Sequence, residues 1–279
     1  MENMKILGDS SLDLTKELET ELNAQRTVPF YLDIAGETIV DDENLSMPDF
    51  MAKMNACTGK MGSACPSPEK WKDVFLKAGG GFAITISGKL SAMYQVAKLG
   101  LEMAKNEVAG LIGYVFDSKS ASCGEVLIAM KIRQFIKNGL SFEGVVKKVD
   151  QFIAEMKTFV VLEDTSNLVK NGRMSPIKGT IVKALGIKPI LYANDGEIDM
   201  CGRVRGSAKI VDKLIDSVAE CHRELEGSDL VISHCDNPKL ANELGDKLQK
   251  KFGFGRVLIL KTKGLSSLYA ADKGIIFSF

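Results

Sequence analysis

Histidine is nearly absent: His222 and His234 are the two in 279 residues. That leaves little material for a histidine-built metal centre or a Ser-His-Asp triad. Net charge is missing too, because 36 Lys and Arg balance 36 Asp and Glu. A general nucleic-acid binder needs excess positive charge to displace counterions from phosphates, so that class is set aside, although a local basic patch remains compatible with the balance. No run approaches 18 consecutive apolar residues, so no transmembrane helix is expected. The opening MENMKILGDSS has no basic segment ahead of a long apolar core, so no secretory signal is expected. Cysteines at 57, 65, 123, 201, 221 and 235 form no Cys-x-x-Cys pair. Such scatter fits free thiols in a cytoplasmic protein better than a disulfide scaffold or a zinc site. Neither a Gly-x-x-x-x-Gly-Lys-Ser/Thr loop nor a Gly-x-Ser-x-Gly elbow occurs, and Gly79-Gly80-Gly81 precedes a strand pattern. P-loop nucleotide binding and nucleophile-elbow chemistry are therefore not expected.

What is present reads as an ordinary soluble chain, 45% hydrophobic and 26% charged, long enough for one large domain or two of usual size. In the first half short apolar runs alternate with amphipathic patterns. MKILG reads as a strand, and 15–24 as a helix with Leu18 and Leu22 on one face. The stretch 27–34 looks extended, while 48–55 and 68–78 each begin with a proline suited to a first helical turn. Strand patterns at 82–86 and 111–116 alternate with helices at 90–106 and 124–137, the latter stopped at Gly139. This alternation predicts a parallel α/β sheet. Beyond residue 157 the rhythm changes. A strand at 159–162 leads to a helix ending near Gly186, and Asn194-Asp195-Gly196 between 187–193 and 197–203 signals a hairpin. A helix at 208–225, a strand at 230–234, a helix at 238–250 and a strand at 257–261 complete an α+β pattern with a mixed or antiparallel sheet. Two domains are expected, 1–157 and 158–279, closely packed because no Pro-, Gly- or Ser-rich linker separates them. A monomer is expected, since no exposed heptad or apolar seam is evident.

Polar clusters follow several strand patterns, where α/β folds place ligands. They are Asp9-Ser10-Ser11, Ser87-Gly88-Lys89-Leu90-Ser91 and Asp117-Ser118-Lys119-Ser120. Hydroxyls such as Ser87 and Ser91, beside the N-H groups and positive end of a helix, suit a carboxylate or phosphate. The same serines also read as plain helix caps. His222 reads as a surface residue and His234-Cys235-Asp236 as a turn.

Taken together the clusters form an ordered series. It begins with Asp9-Ser10-Ser11-x-Asp13-Leu14, Val28-Pro29-Phe30 and Ser63-Ala64-Cys65-Pro66-Ser67-Pro68. It continues with the stretch from Ile86 through Ser87 and Ser91 to Ala97, then Phe116-Asp117-Ser118 and Asn171-Gly172-Arg173-Met174-Ser175. Leu185-Gly186-Ile187-Lys188-Pro189-Ile190-Leu191 and Arg203-Val204-Arg205-Gly206 close it. The series resembles the DegV family, which includes the fatty-acid-binding subunits of bacterial fatty acid kinase, and the resemblance runs over essentially the whole chain. It implies a two-domain DegV-type fold: an N-terminal, mostly parallel three-layer α/β domain and a C-terminal α+β domain. It also implies a non-catalytic, cofactor-free carrier that encloses a long-chain fatty acid and presents its carboxylate to a partner kinase, which makes an acyl phosphate. By motif, Ser91 matches the serine of the family's Leu-Ser-Gly-Thr-Tyr and Ser63 the threonine of Thr-Ser-Gln-Pro, so both would bind the carboxylate. Arg173, from Gly-Gly-Arg, and Arg205, from a later Arg-x-Arg, would lie near the head group or the kinase-docking face.

The chain departs from that pattern in places. Ala92 and Met93 replace Gly-Thr, Ala64-Cys65 replaces Ser-Gln, and no histidine occurs in the stretch 266–274, where relatives carry a His followed by Gly-Pro-Gly. Ser267 or Tyr269 would be the substitute donor there. The departures keep two other readings open: a small-molecule enzyme using Asp9, Asp117 or Asp236 as acid or base, and a regulatory module with a vestigial pocket.

Overall fold

The computed structural model describes residues 1–175, 187–206 and 209–279. The chain begins with β1 (Ile6–Asp9) and α1 (Lys16–Leu22), whose first turn is capped by the Thr15 hydroxyl accepting the Leu18 N-H at 3.3 Å. β2 (Ala24–Val28) and β3 (Tyr31–Ile34) follow, and they belong to different sheets. The single extended segment expected over 27–34 is thus divided, because Pro29 has no N-H to continue a ladder. Next come β4 (Glu37–Val40), α2 (Met47–Ala56), β5 (Met61–Ala64) and α3 (Pro68–Ala78), both helices with proline in the first turn. β6 (Gly81–Thr85), α4 (Met93–Glu107), β7 (Gly113–Asp117), α5 (Cys123–Lys137) and α6 (Phe142–Glu155) end the first half.

Strands β2, β1, β6 and β7 lie side by side in that order, all parallel. Alternate residues serve opposite faces. Ile6, Phe82, Ile84 and Phe116 pack towards α5, and Leu7, Ala83 and Val115 join Trp71 and Phe75 on the other side. Helices α3 and α4 cover that second face, and Gly100 permits their approach. A Cβ there would sit 2.5 Å from Trp71 Cβ and 2.6 Å from the Pro68 carbonyl oxygen. A small antiparallel sheet, β4-β3-β5, stands beside this three-layer unit.

The second half supplies β8 (Thr158–Val161), α7 (Ser166–Lys170) and the hairpin β9 (Ile187–Asn194) to β10 (Glu197–Arg205). Its turn residues Asp195 and Gly196 have φ of 47° and 88°, the left-handed pair that a tight hairpin needs. Then follow α8 (Ile210–Ala219), β11 (Leu230–His234), α9 (Pro238–Phe252), β12 (Val257–Lys261), α10 (Gly264–Ala270) and β13 (Ile275–Ser278). These strands form one mixed sheet, ordered β10-β9-β8-β13-β11-β12, in which β11 and β12 are the parallel pair. The helix expected to end near Gly186, and the start of the one expected over 208–225, lie outside the described residues. The latter stops early, at Ala219, and His222 beyond it is left-handed with φ 47°.

Helix α5 joins the halves. It is buried almost all round and packs against β6 on one side and β11 and β13 on the other. Eleven of its fifteen residues are buried, Glu125 and Arg133 among them, and the helix lies between two sheets. Among the described residues no helix is long and apolar enough to cross a membrane.

Candidate functional site

Both halves wall a cavity of about 100 Å³. Its first-half wall comes from the loops after β1, β2, β6 and β7, with Phe30, Ile86 and Leu90 as apolar surfaces. The second half contributes Val160, Leu162, Leu168, Ile198, Leu265 and Ile276. Aliphatic and aromatic carbon makes up most of the lining, and charge enters through Lys119, Arg173 and Glu197.

Hydroxyls interrupt this apolar wall. Ser63 on β5 lies with its Oγ 3.0 Å from Tyr269 Oη on α10, and both residues line the cavity. Ser91 also lines it, with Oγ 3.1 Å from Cys65 Sγ. Ser91 Oγ accepts the Met93 N-H at 3.2 Å as well, a local turn just ahead of α4, whose N-cap residue is Ala92. A ligand role for this serine is compatible with that bond: one lone pair of its oxygen takes the Met93 N-H, and its other neighbour is a thiol, weak both as donor and as acceptor. Burial pushes the Cys65 thiol up, so it stays protonated at neutral pH. Arg173 reaches the same wall, held by its Nε donating to the Leu90 carbonyl at 3.1 Å.

Two of the residues singled out from sequence lie elsewhere. Ser87 is buried behind the wall, donating to the Gly196 carbonyl at 2.7 Å and accepting the Lys89 N-H at 3.1 Å. It fastens the hairpin turn to the parallel sheet. Arg205 is exposed at the last position of β10, off the cavity wall. Met93, which stands where the family pattern has a threonine, turns into the core. It is fully buried, and its Sδ accepts the Trp71 Nε1-H at 3.2 Å. Ser267 bonds Thr262 at 2.8 Å away from the lining, whereas Tyr269 is on it.

The acids considered for catalysis do not line the cavity. Asp9 accepts the Ser11 N-H at 2.8 Å and the Ile86 N-H at 2.9 Å, stapling the end of β1 to the end of β6. Burial nevertheless pushes its carboxyl up to about 7, and the same cause raises Asp13 to about 6. Asp117 accepts the Gly88 and Lys119 N-H groups, each at 3.0 Å, in a similar staple. Asp236 lies on the surface beside Lys273. Among the described residues no cluster of His, Cys, Asp or Glu could hold a metal ion. Lining residues that the sequence did not single out as ligand-binding include Ser120 and Thr158, whose hydroxyls meet at 2.7 Å. They are 38 residues apart in sequence, and nothing local in either stretch signals the contact.

Comparison with known proteins matches this architecture. The family model described as "uncharacterised protein, DegV family" matches residues 3–275. A DegV domain-containing protein of Streptococcus gordonii is 30% identical over 99% of this chain and 98% of its own. A DegV family protein from Ruminococcus gnavus, its structure described with vaccenic acid, superposes with a TM-score of 0.94 at 33% identity, covering 100% of both chains. The fatty acid kinase (Fak) B3 protein of Streptococcus pneumoniae, loaded with linoleic acid, superposes with a TM-score of 0.90 at 30% identity, over 99% of this chain and 98% of that one.

Proposed function

This chain belongs to the DegV family, and from that premise we propose that it carries a long-chain fatty acid in the cavity and does no chemistry on it. The observation that bears most weight is the wall itself: largely apolar, yet set with the Ser63 and Tyr269 hydroxyls and with Ser91 at the start of α4. A fatty acid has that same division. Burying about fourteen methylenes of a palmitoyl chain, at ~0.8 kcal/mol each, supplies roughly 11 kcal/mol of gross driving force. Much of this offsets the lost freedom of the chain and of association. At the head group, neutral hydroxyls and a helix N-terminus stabilise a carboxylate without pinning it in a tight ion pair. The acid thus stays available for transfer.

The finer reading adds a partner kinase. The relative from Streptococcus pneumoniae is named for a fatty acid kinase, and by analogy the bound carboxylate oxygen attacks the terminal phosphorus of a nucleotide held by the partner. An acyl phosphate and a nucleoside diphosphate result. Arg173 is assigned to the head group, and Arg205, exposed on β10, to the side that meets the partner. Ser87 is assigned an indirect role, holding the hairpin that closes the wall.

Native mass spectrometry of protein made in bacteria, with extraction of any bound lipid, tests the carrier reading. A stoichiometric C14 to C18 acid is expected in the wild type. Ser91→Ala and Ser91→Asp should both lose it, the first for want of a donor and the second by charge repulsion. Ser91→Ala also removes the acceptor of the Met93 N-H and should lower stability by about 1 kcal/mol, whereas an Asp side chain can still accept that N-H. Apo protein that also refuses added palmitate and oleate would overturn the reading.

A further inference from the structure

Thr158 and Val160 on β8 and Leu162 just past it are two residues apart in turn, and all three line the cavity. Extended chain puts such residues on one face, so they form a single stripe of wall. The Leu162 end of the stripe adjoins Ser63 and Tyr269. Helix α7, which follows it, is bonded to the elements that carry them: Asn167 Nδ2 donates to the Leu268 carbonyl on α10 and Asn171 Nδ2 to the Met61 carbonyl on β5, each at 2.8 Å. Thr158 therefore stands at the far end, four residues or about 13 Å along the strand. An extended backbone advances about 3.5 Å per three bonds, so that span corresponds to about eleven carbon–carbon bonds of an acyl chain.

The far end of this stripe is polar, and its hydroxyl is one of a row. Thr158 Oγ1 lies 2.7 Å from Ser120 Oγ, also on the wall, and 2.9 Å from Ser278 Oγ, whose next neighbour is Cys123 Sγ at 3.3 Å. Ser278 and Cys123 are fully buried behind the wall. Gly124 makes room for the first member, because a Cβ there would stand 2.1 Å from Ser120 Oγ. Three hydroxyls carry three protons, and the two contacts between them use two. The third proton meets the Cys123 sulfur, a weak acceptor, or stays on Ser120. In the first case Ser120 keeps lone pairs free at the cavity end, and in the second a proton. A methylene chain lying there satisfies neither, and the unmet group costs free energy. A hydroxyl on the acyl chain satisfies both, and the row polarises to strengthen the new bond. We propose that the preferred cargo of this chain is a long-chain fatty acid bearing a hydroxyl ten or more carbons from its carboxyl, selected by Ser120 and Thr158. The proposal rests on the carrier reading of the cavity. The plainer role of the row is a tie between the halves, with Ser120 from the first and Thr158 and Ser278 from the second.

Wild type and the double variant Ser120→Ala/Thr158→Val, which keeps the shape of the wall without its hydroxyls, are titrated with stearate, 10-hydroxystearate and 12-hydroxystearate. Near-ultraviolet circular dichroism checks that the variant is folded. Wild type should bind the better of the two hydroxy acids about fivefold or more tighter than stearate. In the variant the order should reverse, because the cargo hydroxyl then meets only carbon. Should the double variant not fold, Ser120→Ala alone is expected to narrow the wild-type preference to less than about twofold. Wild-type protein that binds stearate at least as tightly as both hydroxy acids would reduce the row to a tie and overturn the proposal while leaving the carrier reading intact. An undiminished preference for a hydroxy acid in the folded variant would overturn it as well, since Ser120 and Thr158 would not be its source. Wild-type protein that binds none of the three acids would overturn the carrier reading and this inference with it.

Discussion

Single carboxyls in this molecule are held in unequal ways. Asp9 and Asp13 are buried, but each takes at least two hydrogen bonds: Asp9 from the Ser11 and Ile86 N-H groups, Asp13 from Ser122 Oγ at 2.6 Å and the Lys263 N-H at 2.8 Å. Glu125 is fully buried on the first turn of α5, and neither of its oxygens makes a hydrogen bond of good geometry, with Ser11 and the Ser122 backbone its polar neighbours. Burial, with the Asp9 charge nearby adding to it, raises its carboxyl well above the usual range. All three acids therefore hold protons in the folded state at a pH where the unfolded chain, with carboxyls near 4, has released them. The contribution of these groups to stability is greatest below about pH 4 and falls as pH rises through the folded values, near 7 for Asp9 and 6 for Asp13. Each group contributes at most about 1.4 kcal/mol per pH unit to that slope. Asp9 and Asp13 cannot be removed without stranding backbone donors, but Glu125 can. Glu125→Met is expected to raise the unfolding free energy at pH 8 by about 1–3 kcal/mol, the cost of an unsatisfied buried group. The gain should shrink towards pH 4, where an acid in the unfolded chain is protonated as well. Urea denaturation of both proteins at pH 4.5 and pH 8 checks it, and a gain that does not depend on pH would mean that packing rather than ionisation is responsible.

Elements differ in how plainly the sequence marks them. Helix α3 starts and stops where Pro68 and Gly79 say it should, and β11 and β12 occupy their apolar runs residue for residue. The hairpin follows from Asp195-Gly196. By contrast, the β4-β3-β5 sheet is built from short strands with exposed or polar positions, such as Glu37, Thr38 and Ser63, and carries too few alternations to show a period. The helix α10 is seven residues of mostly small side chains, and β13 is four residues long. The site suffers for the same reason. Ser63, Ser91 and Arg173 are reached through family motifs, whereas the Tyr269–Ser63 pair exists only once α10 and β5 have been brought together. β13 shows how much a short segment can bear. It is inserted between β8 and β11 in the middle of the mixed sheet, and Ser278 Oγ lies 2.9 Å from Thr158 Oγ1. Deleting residues 274–279 removes the ladder partner of two interior strands and the buried Phe277 and Phe279. The truncated chain is expected to lose cooperative unfolding by near-ultraviolet circular dichroism, whereas an equally long deletion at an exposed surface loop would not cause that loss. A truncated protein with a native spectrum would show that β8 and β11 can close the gap between them.

At the scale of the molecule, the boundary near residue 157 separates the sheets but not the cores. Strands β1 to β7 form two sheets before it, and β8 to β13 form the third after it. One continuous apolar cluster nevertheless runs from Ile6, Phe82 and Phe116 through Val126, Leu127 and Ile128 of α5 to Val231 and Ile276. The cavity is shared in the same way, with Phe30 and Ile86 on one side and Val160 and Leu162 on the other. Two units proposed at 1–157 and 158–279 should consequently behave as one cooperative body. Residues 1–157 made alone would leave the α5 face that β11 and β13 cover open to water, and would carry only half a binding wall. Such a fragment is expected to bind a hydrophobic dye strongly, to unfold without a sharp transition and to ignore palmitate. The whole chain should melt in a single calorimetric transition whose enthalpy matches the van't Hoff value. Palmitate at a hundred times its dissociation constant should stabilise that one transition by about 2.7 kcal/mol, because a ligand touching both halves is released only when both open. Two separate transitions, of which palmitate moves just one, would place the ligand within a single half and contradict the shared wall.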